Sequence, residues 1–83
     1  MHLIYTAKAL RCLESLPYNA QKKVLDKIEQ YAQQPNPLRF AKRLTGYNAY
    51  RFRVGVYRVL FEVHDEIIFV LKVMKRDEVY RDL

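Results

Sequence analysis

The chain has one cysteine, Cys12, in 83 residues, together with two glycines and three prolines. A single thiol excludes an intramolecular disulfide and a cysteine-based metal site, and it suits a reducing compartment. No His/Asp set has the spacing of a metal centre, no glycine-rich loop is built to cradle phosphate, and no serine-triad pattern is present. The expectation is therefore no metal and no cofactor. No charged-then-apolar leader opens the chain, and no apolar run approaches the ~20 residues that span a bilayer. A cytoplasmic protein with no membrane partner is expected. Repeats, low-complexity tracts and long linkers are also missing, which leaves a single domain over residues 1–83. Acids are scarce as well: nine Asp and Glu stand against fifteen Lys and Arg, a net charge of +6.

What is present is the composition of a folded chain, 51% apolar and 29% charged. A domain of this size buries only about 60% of the surface its unfolded form exposes, so its stability is modest. The cationic excess points to a polyanionic partner or to a plain solubility charge, and the placement of the charges must decide.

The short apolar stretch HLIYT (2–6) reads as a strand, and Thr6 is placed to cap a helix through AKALRCLESL with Ala7, Leu10, Leu13 and Leu16 on one side. Pro17 stops it. A second helix over 19–34, with Asn19 as N-cap, carries Val24, Leu25, Ile28, Tyr31 and Ala32 as its apolar stripe. Residues 35–46, PNPLRFAKRLTG, read as a connector containing Arg39, Lys42 and Arg43. Beyond Tyr47 the pattern alternates, with strands near 48–54, 57–63 and 67–74. The order β-α-α-β-β-β predicts an α+β fold, a mainly antiparallel sheet with an N-terminal helical hairpin packed on one face.

The stretch YRFRVGVYRV (50–59) places three arginines in strands. A two-residue loop at Gly55-Val56, suited to a type II′ turn, sets Arg53 opposite Arg58 and Phe52 opposite Val59. Arg51, Arg53 and Arg58 then share one face, and Phe52, Val54, Tyr57, Val59, Phe61 and Val63 share the other. The next turn, HDE (64–66), reads as a three-residue loop that pairs Val63 with Ile67 and Phe61 with Phe69. This keeps Leu71 and Val73 on the apolar face and sets Lys72 beside Arg58, with Arg76 following if the strand persists. Like charges facing each other in a sheet are destabilising. Either the face is simply solvated, with acids such as Asp77 and Asp82 capping the arginines, or it meets an anion, for which arginine's planar fork is suited to phosphate.

KRLTGYNAYRFRVGVYRVLFEV followed by IIFVLKVMKRDEVYRDL resembles the RelE/ParE toxin superfamily, and its RelE branch in particular. The shared elements are a Leu-x-Gly turn, a strand with alternating basic residues, Tyr-Arg opening the next strand, and a closing Lys-Arg-x-x-x-Tyr. The resemblance implies a RelE-like fold and a toxin of a type II toxin–antitoxin pair. Its partners would be a cognate antitoxin, the ribosome and mRNA, and its activity a metal-independent endoribonuclease cutting mRNA in the ribosomal A site. It further implies that Arg51 and Arg53 hold and neutralise the phosphate, Arg58 stabilises the pentacovalent charge, Arg76 lies near the leaving oxygen, and Tyr80 orients the nucleotide. Lys42, Arg43, Lys72 and Lys75 would be RNA- or ribosome-contacting charges. RelE itself carries lysines where this chain has Arg51 and Arg53, and arginine stays protonated, so it does not serve readily as a base. Two further readings are a ParE-like inhibitor of DNA gyrase and a non-catalytic RNA-binding module. His64 and His2 read as surface residues, Cys12 as a structural thiol, and Tyr47 and Tyr50 as packing rather than stacking residues.

Overall fold

The computed structural model describes residues 1–44 and 49–76. The elements are β1 (His2–Tyr5), α1 (Ala7–Glu14), α2 (Tyr18–Ala32), a 3-10 helix (Pro37–Phe40), β2 (Ala41–Arg43), β3 (Tyr50–Val54), β4 (Tyr57–His64) and β5 (Ile67–Lys75). The strands form one sheet in the order β1-β5-β4-β3-β2. β1 is parallel to β5, and the other neighbours are antiparallel. Both helices cover the same face, as the α+β reading requires. The stretch taken for a plain connector instead holds the 3-10 helix and a fifth strand, β2.

Thr6 starts α1 from an extended backbone, and its hydroxyl oxygen accepts from the Ala9 N–H at 3.1 Å. The same hydroxyl donates to the Leu71 carbonyl at 3.1 Å. This double bond fixes the phase of α1, and the buried stripe is Ala9 and Leu13, with Cys12 and Leu16 packed beside them. Ala7 and Leu10, expected on that stripe, are exposed. In α2 the expected Asn19 cap is replaced by Pro17, one residue before Tyr18, with no side-chain cap bond. The Pro17 carbonyl accepts the first helical bond, from the Gln21 N–H at 2.9 Å. Val24, Ile28 and Ala32 are buried as the stripe predicts.

The core between helices and sheet centres on Phe52 and Phe61, both fully buried, with ring centroids 4.3 Å apart. Tyr31 of α2 lies 4.8 Å from Phe52, and Tyr50 stacks on Phe61 at 5.6 Å. Each buried ring contributes roughly 1.5–3 kcal/mol from burial.

The β3–β4 register matches the expected one, Val54 to Tyr57, Arg53 to Arg58, Phe52 to Val59 and Arg51 to Leu60. Gly55 has φ +59°, the left-handed region that the first position of a II′ turn demands. The β4–β5 hairpin corrects the expectation. His64 pairs with Ile67, so the loop is the two residues Asp65 and Glu66, and Val63 pairs with Ile68 and Phe61 with Val70. Between Leu60 and Phe61 the register shifts, and Leu60 then pairs with Lys72 and Arg58 with Met74. Leu71 is the extra residue of this bulge. It turns the outward phase back on itself, so that Ile68, Val70 and Val73 face the core while Lys72 stays out. The inward β5 residues are thus not Ile67, Phe69 and Leu71. The bulged carbonyl of Leu71 is the one that Thr6 satisfies.

Two stability outcomes follow. Thr6→Ala removes the cap bond and orphans the Leu71 carbonyl, a loss of about 1–2 kcal/mol, or roughly 5–15 °C in thermal midpoint. Thr6→Ser should keep most of it. Asp65 and Glu66 both have positive φ, 49° and 64°. Glu66→Gly should therefore raise the midpoint by roughly 2–4 °C, the strain relief exceeding the added chain entropy. A fall on calorimetric melting would contradict this turn.

Candidate functional site

Alternation in β3 sends Phe52 and Val54 towards the helices and Arg51 and Arg53 to the open face. Lys42 of β2 pairs directly with Arg51 and so shares that face. The 3-10 helix, opened by Pro37, delivers Arg39 and Phe40 to the same edge. Among the described residues, Arg39, Phe40, Ala41, Lys42, Arg51 and Arg53 line a shallow pocket of about 290 Å³.

Four cations surround this pocket without an acid in its lining. Arg39, Lys42, Arg51 and Arg53 form no ion pair among the described residues. His64 Nε2 and Glu62 Oε1 are hydrogen-bonded at 2.8 Å at the far end of β4. Cations held on a rigid sheet without counter-charge form a preorganised anion site.

Arg58 behaves differently. It faces Arg53 across the hairpin but is only 6% exposed. Its Nη1 donates to the Gly55 and Tyr57 carbonyls, each at 3.0 Å. The side chain thereby clamps the β3–β4 turn while leaving its charge beneath the open face. Beside it Leu44, Leu60 and Met74 form a small second core on that face, with Ala49 packed against them. Leu60 is the partner of Arg51, and Met74 the partner of Arg58. Apolar neighbours of this kind strengthen the pull of adjacent guanidinium groups on an anion.

The remaining expected residues are more dispersed. Lys72 is half-buried on the open face, but it faces Leu60 rather than Arg58. Arg43 pairs with Tyr50 and Lys75 with Tyr57, which puts both in the helix-side phase, away from the pocket. Arg76 is exposed, and its backbone N–H donates to the Val56 carbonyl at 2.7 Å, tying the end of β5 to the β3–β4 turn. Tyr80 and Tyr47 lie outside the described residues, as do the Leu-x-Gly turn's Gly46 and the capping candidates Asp77 and Asp82. Arg39, Phe40 and the Leu44–Leu60–Met74 floor were not among the expected site residues. The outward phase of Leu60, between Arg58 and Glu62, was the legible sign of that floor. Tyr5, whose buried hydroxyl has no hydrogen-bond partner among the described residues, has its pKa raised by burial and then by the Glu29 charge; it sits on the helix side and does not line the pocket.

Comparison with known proteins agrees with this fold. The family model described as ParE toxin of type II toxin–antitoxin system, parDE, matches residues 3–80. Among solved structures, the RelBE2 toxin–antitoxin complex of Mycobacterium tuberculosis is similar at 26% identity and a TM-score of 0.79, over 90% of each chain. The RelB–RelE antitoxin–toxin complex of Methanococcus jannaschii is similar at 25% identity and a TM-score of 0.77, over 96% of this chain and 98% of that one. The archaeal RelE–RelB complex of Pyrococcus horikoshii follows at 28% identity and a TM-score of 0.73, over 90% of this chain and 93% of that one. No curated protein matches the sequence. With its sheet order, its helical hairpin and a family match running nearly end to end, this chain belongs to the ParE toxin family within the RelE/ParE superfamily, and it is a toxin of a type II toxin–antitoxin system.

Proposed function

We propose that the toxin is a ribosome-dependent mRNA endoribonuclease that cuts in the A site. The observation that carries this reading is the pocket of four cations, none of them ion-paired among the described residues, beside an apolar cluster. The likeness to RelE structures supports it. In the reaction the ribose 2′-OH loses its proton and its oxygen attacks the adjacent phosphorus. The bond to the 5′ oxygen breaks, and that oxygen takes up a proton. The products are a 2′,3′-cyclic phosphate and a 5′-OH, with no net water and no metal required. Arg51 and Arg53 grip the phosphate and offset its growing charge, while Arg58 adds field from beneath and Arg76 and Tyr80 serve the leaving side. Because arginine keeps its proton, these residues work by orientation and charge stabilisation rather than as bases.

A cognate antitoxin, partly disordered when free, would lay an acidic or amphipathic segment over this face or displace the C-terminal tail. The site of action would be the cytoplasm, where ribosomes, mRNA and antitoxin meet. Lys42 belongs to the pocket, and Arg43, Lys72 and Lys75 supply outlying contacts to RNA. A second reading, inhibition of DNA gyrase without cleavage, is favoured by the matched family model, which describes ParE toxins.

Purified toxin with programmed ribosomes should yield cuts ending in cyclic phosphate, and free mRNA should yield none. Arg51→Gln and Arg53→Gln should each lower the rate by about 100-fold, the loss typical of one charge-stabilising contact. Gyrase inhibition without new RNA ends would replace this reading with the second. Salt-sensitive RNA retention without new ends or gyrase inhibition would leave a non-catalytic binding module.

Arg53 and Arg58 should separate in stability. Arg58→Ala strips the Gly55 and Tyr57 carbonyls of a charged donor, a cost of about 1–3 kcal/mol and roughly 5–20 °C in thermal midpoint. Arg53→Ala removes one of two opposed like charges and should leave the midpoint unchanged or slightly higher. Equal losses in both variants would contradict the clamp.

A further inference from the structure

We propose that Phe40 is a stacking platform for a nucleobase whose adjoining phosphate lies among Arg51, Arg53 and Lys42. The inference rests on the RNA reading above and assigns a residue that the reading does not use.

Phe40 is a large apolar side chain left 45% exposed, and it lines a pocket otherwise ringed by cations. Its ring is not loose. It stacks on Tyr31 with centroids 5.1 Å apart and planes within 12°. Tyr31 leans on Phe52, and Phe52 stacks on Phe61, so four rings run in contact from the centre of the core to the rim of the pocket. The Lys27 ammonium, 5.8 Å from the Tyr31 centroid, further restrains the second ring in that series. The backbone around Phe40 is held too, since Pro37 is buried, Leu38 packs on the core and the Arg39 N–H donates to the Asn36 carbonyl at 3.1 Å.

A rigid aromatic ring beside guanidinium groups that have no acid partner among the described residues matches the two halves of a nucleotide, a flat base and an anion. An acidic peptide would use the cations and leave the ring wet. The pocket's volume of about 290 Å³ lies at the small end of ligand sites, which suits one nucleotide of a strand crossing the sheet edge.

The chain contains no tryptophan, so Phe40→Trp installs a single fluorescent reporter at the site. The protein is titrated with a short single-stranded RNA and with an abasic ribose–phosphate oligomer of equal length. RNA should quench the indole, and the abasic oligomer should bind without quenching. In separate binding assays Phe40→Leu, which retains an apolar cover over Tyr31, should weaken RNA binding about five-fold or more and leave the abasic oligomer unaffected. If RNA and abasic oligomer bind alike and Phe40→Leu changes neither, the ring is only a cover for Tyr31, and the stacking role is overturned while RNA binding stands. If wild-type toxin binds neither oligomer in a salt-sensitive way, the RNA reading itself fails. Circular dichroism on each variant separates lost binding from lost folding.

Discussion

The open face of the sheet depends on the stacking of Phe52 against Phe61 behind it. β3 and β4 carry Arg53 opposite Arg58, an arrangement that costs a few tenths to about 1 kcal/mol. The same two strands bury two full rings on their reverse side. That burial contributes several times as much, with about 0.5–1.5 kcal/mol more from the stacked pair itself. The strands are therefore held in register by their hidden face, and the exposed one is free to be electrostatically unfavourable. A surface built to meet an anion has to be uncomfortable without one.

The protein limits that discomfort without abolishing it. Arg58 folds its guanidinium onto carbonyls of its own turn, so the most crowded charge is solvated by backbone rather than by water. The Leu44–Leu60–Met74 cluster keeps the neighbouring ground dry. Arg51, Arg53, Lys42 and Arg39 have no ion pair among the described residues. Under the function proposed above, the same cationic edge would take two occupants in turn, a phosphodiester or an acidic chain. Competition for one set of charges is a simple physical basis for neutralisation.

The fold class and the arginine face were legible because their signals were strict. Gly55 marks its turn unambiguously, and β3 and β4 alternate without interruption on both sides of it, so the register follows by counting. The β4–β5 register was not legible, because two errors cancel. A three-residue loop without a bulge and a two-residue loop with one both keep Lys72 outward and Val73 inward. They differ only over residues 67–71, where every residue is apolar and alternation carries no information. β2 escaped notice because three residues after PNPLRF show no period. Without that strand the sequence does not show that Lys42 and Arg43, being neighbours in it, point to opposite faces. Phe40 was hidden by the same connector, since nothing local reveals that its ring continues a stack begun by Tyr31.

The bulge at Leu71 has a consequence for comparing relatives. A strand with one surplus residue contains two pleats of opposite phase, joined at a point that Thr6 pins to the first helix. Two homologues can therefore differ by one residue in the hairpin loop and by one residue at the bulge, in opposite senses, and keep the same inside and outside throughout the second half of the strand. An alignment with no gap at either place would turn residues 67–70 inside out. It would match core positions to surface positions over one turn of the hairpin while appearing seamless on either side. Gap placement in this family is thus a structural question, and the threonine that opens the first helix marks where the second gap belongs.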